Sequence, residues 1–196
     1  MNPNDFDVDY KWSEKISESI EIEELYEKKL NSKIIQRIKI TNRKQQKAGY
    51  DIELILFDGR RLTIEEKIRS KFFPDLLLEI KHENGKKKIG WLYKSEAEVL
   101  SYIQPTDKEY ILTLWKLKDL AQWSKTKEFF QLINDEKIKE IWSSSIRNNR
   151  EWRTENYAIP FHILKDKNFE YKNKDFEKNK SNLPLEFFSK KGDNNE

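Results

Sequence analysis

Apolar residues recur early in the chain at Trp12, Ile16, Ile20, Ile22, Leu25, Tyr26 and Leu30. This is helical spacing with a drifting face, and it predicts helix over 10–30. Ser32–Thr41 carries Ile34, Ile35, Ile38 and Ile40, a β-branched density that favours a strand. Two alternating segments, 50–57 and 61–69, flank Asp58-Gly59 and read as a hairpin. Residues 75–82 predict a third strand, which Glu83-Asn84-Gly85 turns toward Lys88–Tyr93. Residues 94–103 read as a short helix ended by Pro105, and Glu109–Trp115 as a strand. Helical spacing resumes over 116–133, and Tyr157–Leu164 predicts a last strand with Pro160 at an edge. Helices alternating with strands in this order predict an α/β domain of α+β type, a mixed central sheet flanked by helices. The domain is expected over 1–164. Residues 165–196 form a charged tail in which Phe169, Tyr171, Phe176 and the Leu183–Phe188 cluster suggest partial packing back.

The hairpin is the candidate for chemistry, against the alternative of a solvated strand face with ordinary Lys–Glu cross-strand pairs. Its apolar positions are Ile52, Leu54 and Leu56 on one strand and Leu62, Ile64 and Ile68 on the other. A two-residue Asp58-Gly59 turn would set Leu54 against Thr63 and Ile52 against Glu65, mixing the core face with the charged face. A three-residue loop, Phe57-Asp58-Gly59 with Gly59 left-handed, pairs Leu54 with Leu62 and Ile52 with Ile64. That register places Asp51 across from Glu65, with Lys67 two residues on. Two facing carboxylates repel unless a cation lies between them. A divalent metal satisfies that need, polarising a phosphate and activating water, while lysine offsets transition-state charge. Pro74-Asp75 with Glu79-Ile80-Lys81 is a competing string. Asp75 and Glu79, however, lie roughly 13 Å apart along one strand and cannot share an ion. Glu79 by itself remains a candidate for the site.

Composition narrows the options. The chain has 196 residues, of which 37% are charged, with a net charge of only +3. Its surface is therefore dense in both signs. There is no cysteine, which excludes thiol catalysis and cysteine-ligated metals. The two histidines, His82 and His162, lie far apart, so a metal would rest on carboxylates and carbonyls, as magnesium, manganese or calcium does. His82, opposite in phase to Glu79, reads as a structural histidine. No apolar run approaches the length of a membrane span, and the acidic N-terminal stretch lacks the order of a secretory signal, so no membrane association is expected and the cytoplasm is the default compartment. Residues 1–30 hold nine acids and four bases, whereas 31–50 hold six bases and no acid. This basic run, followed by the hairpin, suggests an electrostatic surface for nucleic acid.

At these residues the sequence resembles the PD-(D/E)XK nuclease superfamily, and within it the small single-domain proteins of bacteria, phages and mobile elements. The resemblance covers roughly 45–115: Gln46-x-x-Gly49-x-Asp51, Ile64-Glu65-Glu66-Lys67, Leu77-Leu78-Glu79 and Gly90-Trp91-Leu92. It implies a restriction-endonuclease-like core and magnesium-dependent (or manganese-dependent) phosphodiester hydrolysis. Asp51 and Glu65 would be metal ligands and Lys67 the catalytic lysine. Glu79 and a first-helix glutamate (Glu18, with Glu14 and Glu21 as alternatives) would be further ligand candidates. Lys39, Arg43, Lys44, Gln46, Lys47 and Arg69 would contact nucleic acid, with DNA preferred and RNA left open. Glu66, out of phase with its neighbours, should point toward the helix layer. A chain this small has little room for a recognition domain, so sequence specificity would require a homodimer or a partner. The competing expectations are a nuclease-like module that binds nucleic acid or protein without turnover, and a structural or anti-defence protein of a mobile element.

Overall fold

The computed structural model describes residues 4–41, 49–83, 87–147 and 150–172. The fold is mixed α+β, with two sheets where a single central one was expected. The first sheet is mixed and has the order β2-β3-β4-β7-β8: β2 (Ile34–Lys39), β3 (Ile52–Leu56), β4 (Arg61–Ile68), β7 (Val99–Pro105) and β8 (Tyr110–Lys116). Its neighbours run antiparallel except β4 and β7, which are parallel. The second sheet is antiparallel in the order β9-β10-β5-β6: β9 (Lys139–Arg147), β10 (Arg150–Pro160), β5 (Asp75–Glu83) and β6 (Lys87–Ile89). The two-residue β1 (Asn4–Asp5) joins it parallel to β9.

The helix expected over 10–30 is two, α1 (Phe6–Ser17) and α2 (Ile20–Leu30). Ser19 is extended and begins α2, which has Glu21 and Glu23 in its first turn. The drifting apolar face is thus the signature of two helices with different orientations. Ile22, Tyr26 and Leu30, four residues apart on α2, are fully buried against Leu54, Ile64, Val99 and Leu114 of the first sheet. A second core joins both sheets through Leu76, Leu78, Leu100, Tyr102 and Ile159. It is closed by α3 (Trp91–Lys94), α4 (Leu117–Trp123), α5 (Lys127–Asn134) and α6 (Phe161–Asp166).

Three other expectations change. Residues 94–103 are not helical: α3 ends at Lys94, and β7 is buried from Val99 to Gln104, so it lacks the polar alternation that marks a strand. The helix over 116–133 is broken into α4 and α5, where the Thr126 side chain accepts a hydrogen bond from the Phe129 N–H. The last strand, β10, begins earlier, at Arg150, and the chain turns helical after Pro160. The boundary at 164 falls inside α6. Phe169 and Tyr171 pack on the two cores, and the Tyr171 N–H donates to the Leu114 carbonyl of β8. Among the described residues, no helix is long and apolar enough to cross a membrane.

Candidate functional site

The hairpin takes the three-residue loop. Leu54 pairs with Leu62 and Ile52 with Ile64, and Gly59 sits at φ +82°. Asp58 braces the loop by accepting hydrogen bonds from the Arg60 N–H and Nε at 3.1 and 2.8 Å. One step beyond the paired residues, the Asp51 N–H donates to the Ile64 carbonyl, and its carboxylate accepts the Glu66 N–H at 2.9 Å. Two backbone contacts thereby hold Asp51 against β4.

Lys67 joins the two acids. Its ammonium bonds Glu65 Oε1 and lies 3.7 Å from Asp51 Oδ2, so both carboxylates are within reach of one cation. The two acids differ in setting: the side chain of Asp51 is half exposed and that of Glu65 is 6% exposed. Burial raises the pKa of Glu65, Lys67 opposes that rise, and Asp51 adds to it. Burial works against the Lys67 charge, but Glu65 and Asp51 outweigh it and hold the ammonium above the ordinary lysine range. Two further residues close the site. Lys67 lies 5.2 Å over the Trp91 ring. The Ser95 hydroxyl contacts Glu65 Oε2 at 3.3 Å and the Gly49 carbonyl, fastening the segment before Asp51 to the end of α3. Nothing in the sequence pattern pointed to Ser95. Trp91 was visible only through the Gly90-Trp91-Leu92 resemblance.

Glu66 points the other way, as alternation requires. Its carboxylate accepts from Ser17, from the Tyr26 hydroxyl at 2.7 Å and from Arg37 at 3.3 and 3.4 Å. Tyr26 also hydrogen-bonds Ser101 at 2.7 Å. The motif strand thus sends Glu65 and Lys67 to the site and Glu66 into a buried network under α1 and α2.

His82 is a correction. The β5–β10 register passes from Asn156↔Glu79 to Glu155↔Lys81, leaving Ile80 as an extra residue in a bulge. The bulge reverses the phase, so His82 shares a side with Glu79, and its Nδ1 lies 3.2 Å from Glu79 Oε1. The His82 ring also meets Trp152 at 6.2 Å. Glu79 is among the groups whose charge raises the Lys67 pKa. Asp75 is half-buried, and the charges acting on it are those of Arg69 and Lys139. Gly90 packs on the bulge, where a Cβ would come within 2.5 Å of the Glu79 carbonyl oxygen.

A groove of about 270 Å³ opens beside the hairpin, lined by Ser13, Glu14 and Ser17 of α1 together with Lys39, Asp51 and Lys67. Glu14 lines it, whereas Glu18 meets Lys39 at 2.8 Å. The expected basic surface is partly consumed inside the chain: Lys33 pairs with Glu27, Arg37 with Glu66, and Lys39 with Glu14 and Glu18. The acidic helices and the basic strand are complementary faces of one layer. Arg69, two residues after Lys67, stacks on Phe73. Arg43, Lys44, Gln46 and Lys47 lie outside the described residues.

The donors suit a hard divalent cation. Asp51 and Glu65 offer carboxylate oxygens on adjacent strands, the donor type that a hard divalent cation takes. Among the described residues, no group of three or more His, Cys, Asp or Glu side chains converges to hold a metal. No family model, curated protein or solved structure matches the chain.

Proposed function

We propose that the chain is a magnesium-dependent phosphodiesterase acting on nucleic acid, DNA in preference to RNA. One observation carries the reading: the hairpin register brings a buried glutamate, an exposed aspartate and a lysine into mutual contact beside an open groove. Supporting it, the mixed first sheet with helices packed on its face accords with a restriction-endonuclease-like core. Asp51 and Glu65 would hold the metal, which when bound supplies charge to polarise the phosphate and activate water. Asp51, fixed by the Glu66 N–H, presents its carboxylate to solvent. Ser95 orients Glu65. Lys67, kept charged by its neighbours, places its ammonium at the groove to meet the negative charge that grows on the phosphoryl oxygens.

Cleavage of labelled DNA and RNA in Mg²⁺ and Mn²⁺ tests the reading. Lys67→Ala should slow turnover by about two to three orders of magnitude while nucleic-acid affinity falls far less. A wild-type chain that cleaves neither polymer removes the enzyme reading. A second reading, a binding module without turnover, is favoured by the position of the Lys67 ammonium, which itself bridges the two carboxylates. Calorimetry separates the two: Mg²⁺ or Mn²⁺ uptake lost in Asp51→Asn supports the enzyme.

A further inference from the structure

Beyond Lys67, the motif strand continues to Arg69 and then crosses to β5 through Ser70-Lys71-Phe72-Phe73-Pro74. By alternation, Glu65, Lys67 and Arg69 project from one side of the strand. The Arg69 guanidinium lies 4.4 Å over the Phe73 ring, so the stack stands on the side that carries the site. Phe72 and Phe73 are 51% and 37% exposed. Their exposure does not come from a loose segment. The Arg69 N–H donates to the Ile103 carbonyl at 2.8 Å, the Phe73 N–H to the buried Gln104 side chain at 2.9 Å, and the Pro74 carbonyl accepts from the Phe161 N–H at 3.2 Å. Two adjacent phenylalanines are thus left exposed on an anchored segment that begins two residues after the proposed catalytic lysine.

Resting on the phosphodiesterase reading, we propose that Phe72, Phe73 and Arg69 form a stacking platform for an unpaired nucleobase next to the scissile phosphate. The substrate is then a single strand, or a duplex frayed or flapped at the cut. A phenyl ring offers a face to any base, whereas a base inside a duplex already has both faces covered. Arg69 and the exposed Lys71, which is among the described residues without a carboxylate in ion-pair distance, supply charge for the phosphates on either side. That charge favours a nucleic-acid strand over an apolar protein surface as the occupant.

The test uses the full chain in EDTA, with fluorescence anisotropy on a short oligothymidylate and on a duplex of equal length. Wild type should bind the single strand more tightly. The double variant Phe72→Ala, Phe73→Ala should lose about tenfold or more of single-strand affinity and so collapse the preference. Phe73→Leu, which keeps an apolar side chain but removes the ring, should lose part of it. An unchanged thermal melt shows that the variants fold. Equal losses on both probes, no loss, or a wild-type preference for duplex would overturn the platform while leaving the phosphodiesterase reading intact if cleavage persists. A wild-type dimer that the double variant abolishes would also overturn it, by assigning the phenylalanines to a second copy. A wild type that binds neither probe would overturn the platform, and the phosphodiesterase reading falls with it only if cleavage is also absent.

Discussion

Tyr26 does two jobs from one position. Its ring fills the core between α2 and the first sheet, and its hydroxyl reaches both Glu66 and Ser101. Burial, and then the Glu66 charge, push its own pKa well above the ordinary tyrosine value, so it stays a neutral donor to the carboxylate. Tyr26→Phe keeps the packing and removes the hydroxyl, leaving a buried carboxylate short of one partner. Stability should fall by about 1–3 kcal/mol, read from the urea midpoint at unchanged slope. A loss within error would show that Arg37 and Ser17 satisfy Glu66 without help. At this scale the sequence was informative wherever strict alternation decides orientation. Glu65 and Glu66 are chemically identical neighbours, and the period of two alone sends one to the site and the other to the helices.

At the scale of elements, legibility depended on whether an element leaves a periodic trace. The β3–β4 hairpin was readable, loop length included, because one wrong step would have buried charge. β7 was missed because it is buried on both faces and reads as an unbroken run. The phase of His82 was missed because a bulge adds a residue without altering composition, and only the partner strand reveals it. That bulge depends on Gly90, whose N–H donates to the Ile80 carbonyl at 2.9 Å and whose α-carbon lies against the Glu79–Ile80 peptide. A methyl group there meets backbone, which cannot swing aside. Gly90→Ala should therefore cost about 1–3 kcal/mol and, by shifting Trp91 away from Lys67, lower metal-dependent cleavage. Urea unfolding and a cleavage assay on the same preparation check both effects. A variant as stable as wild type would show that β6 and α3 can move away as a unit.

At the scale of the molecule, charge among the described residues is organised largely as internal pairing. Lys39 holds the Glu18 pKa down and Lys33 does the same for Glu27, as does Lys167 for Glu128. Such depressed carboxylates contribute stability that is present above the ordinary glutamate value of 4.5 and drains away as the pH falls through their lower folded values. Glu65 has the opposite sign. Its folded pKa is raised, so its contribution is fullest below 4.5 and is lost as the pH rises through that raised value. As these three pairs lose their carboxylate charge, the melting temperature should decline below about pH 4.5, and high salt should flatten that decline. A steep loss already near pH 6 would show that these carboxylate pairs do not set the acid limit. None of this pairing was legible from the charge runs. A basic stretch looks the same in sequence whether it faces solvent or an acidic helix of its own chain.

Residues 4–17 belong to both halves of the molecule. β1 pairs with β9 of the second sheet, while Ser17, at the end of α1, is tied to Glu66 of the first. Between those attachments, Ser13 and Glu14 form a wall of the groove that holds Asp51 and Lys67. The N-terminal segment is a hasp across two plates. Widening the groove on that side must strain one of these two attachments, so its width is set in part by a segment remote in sequence from the hairpin.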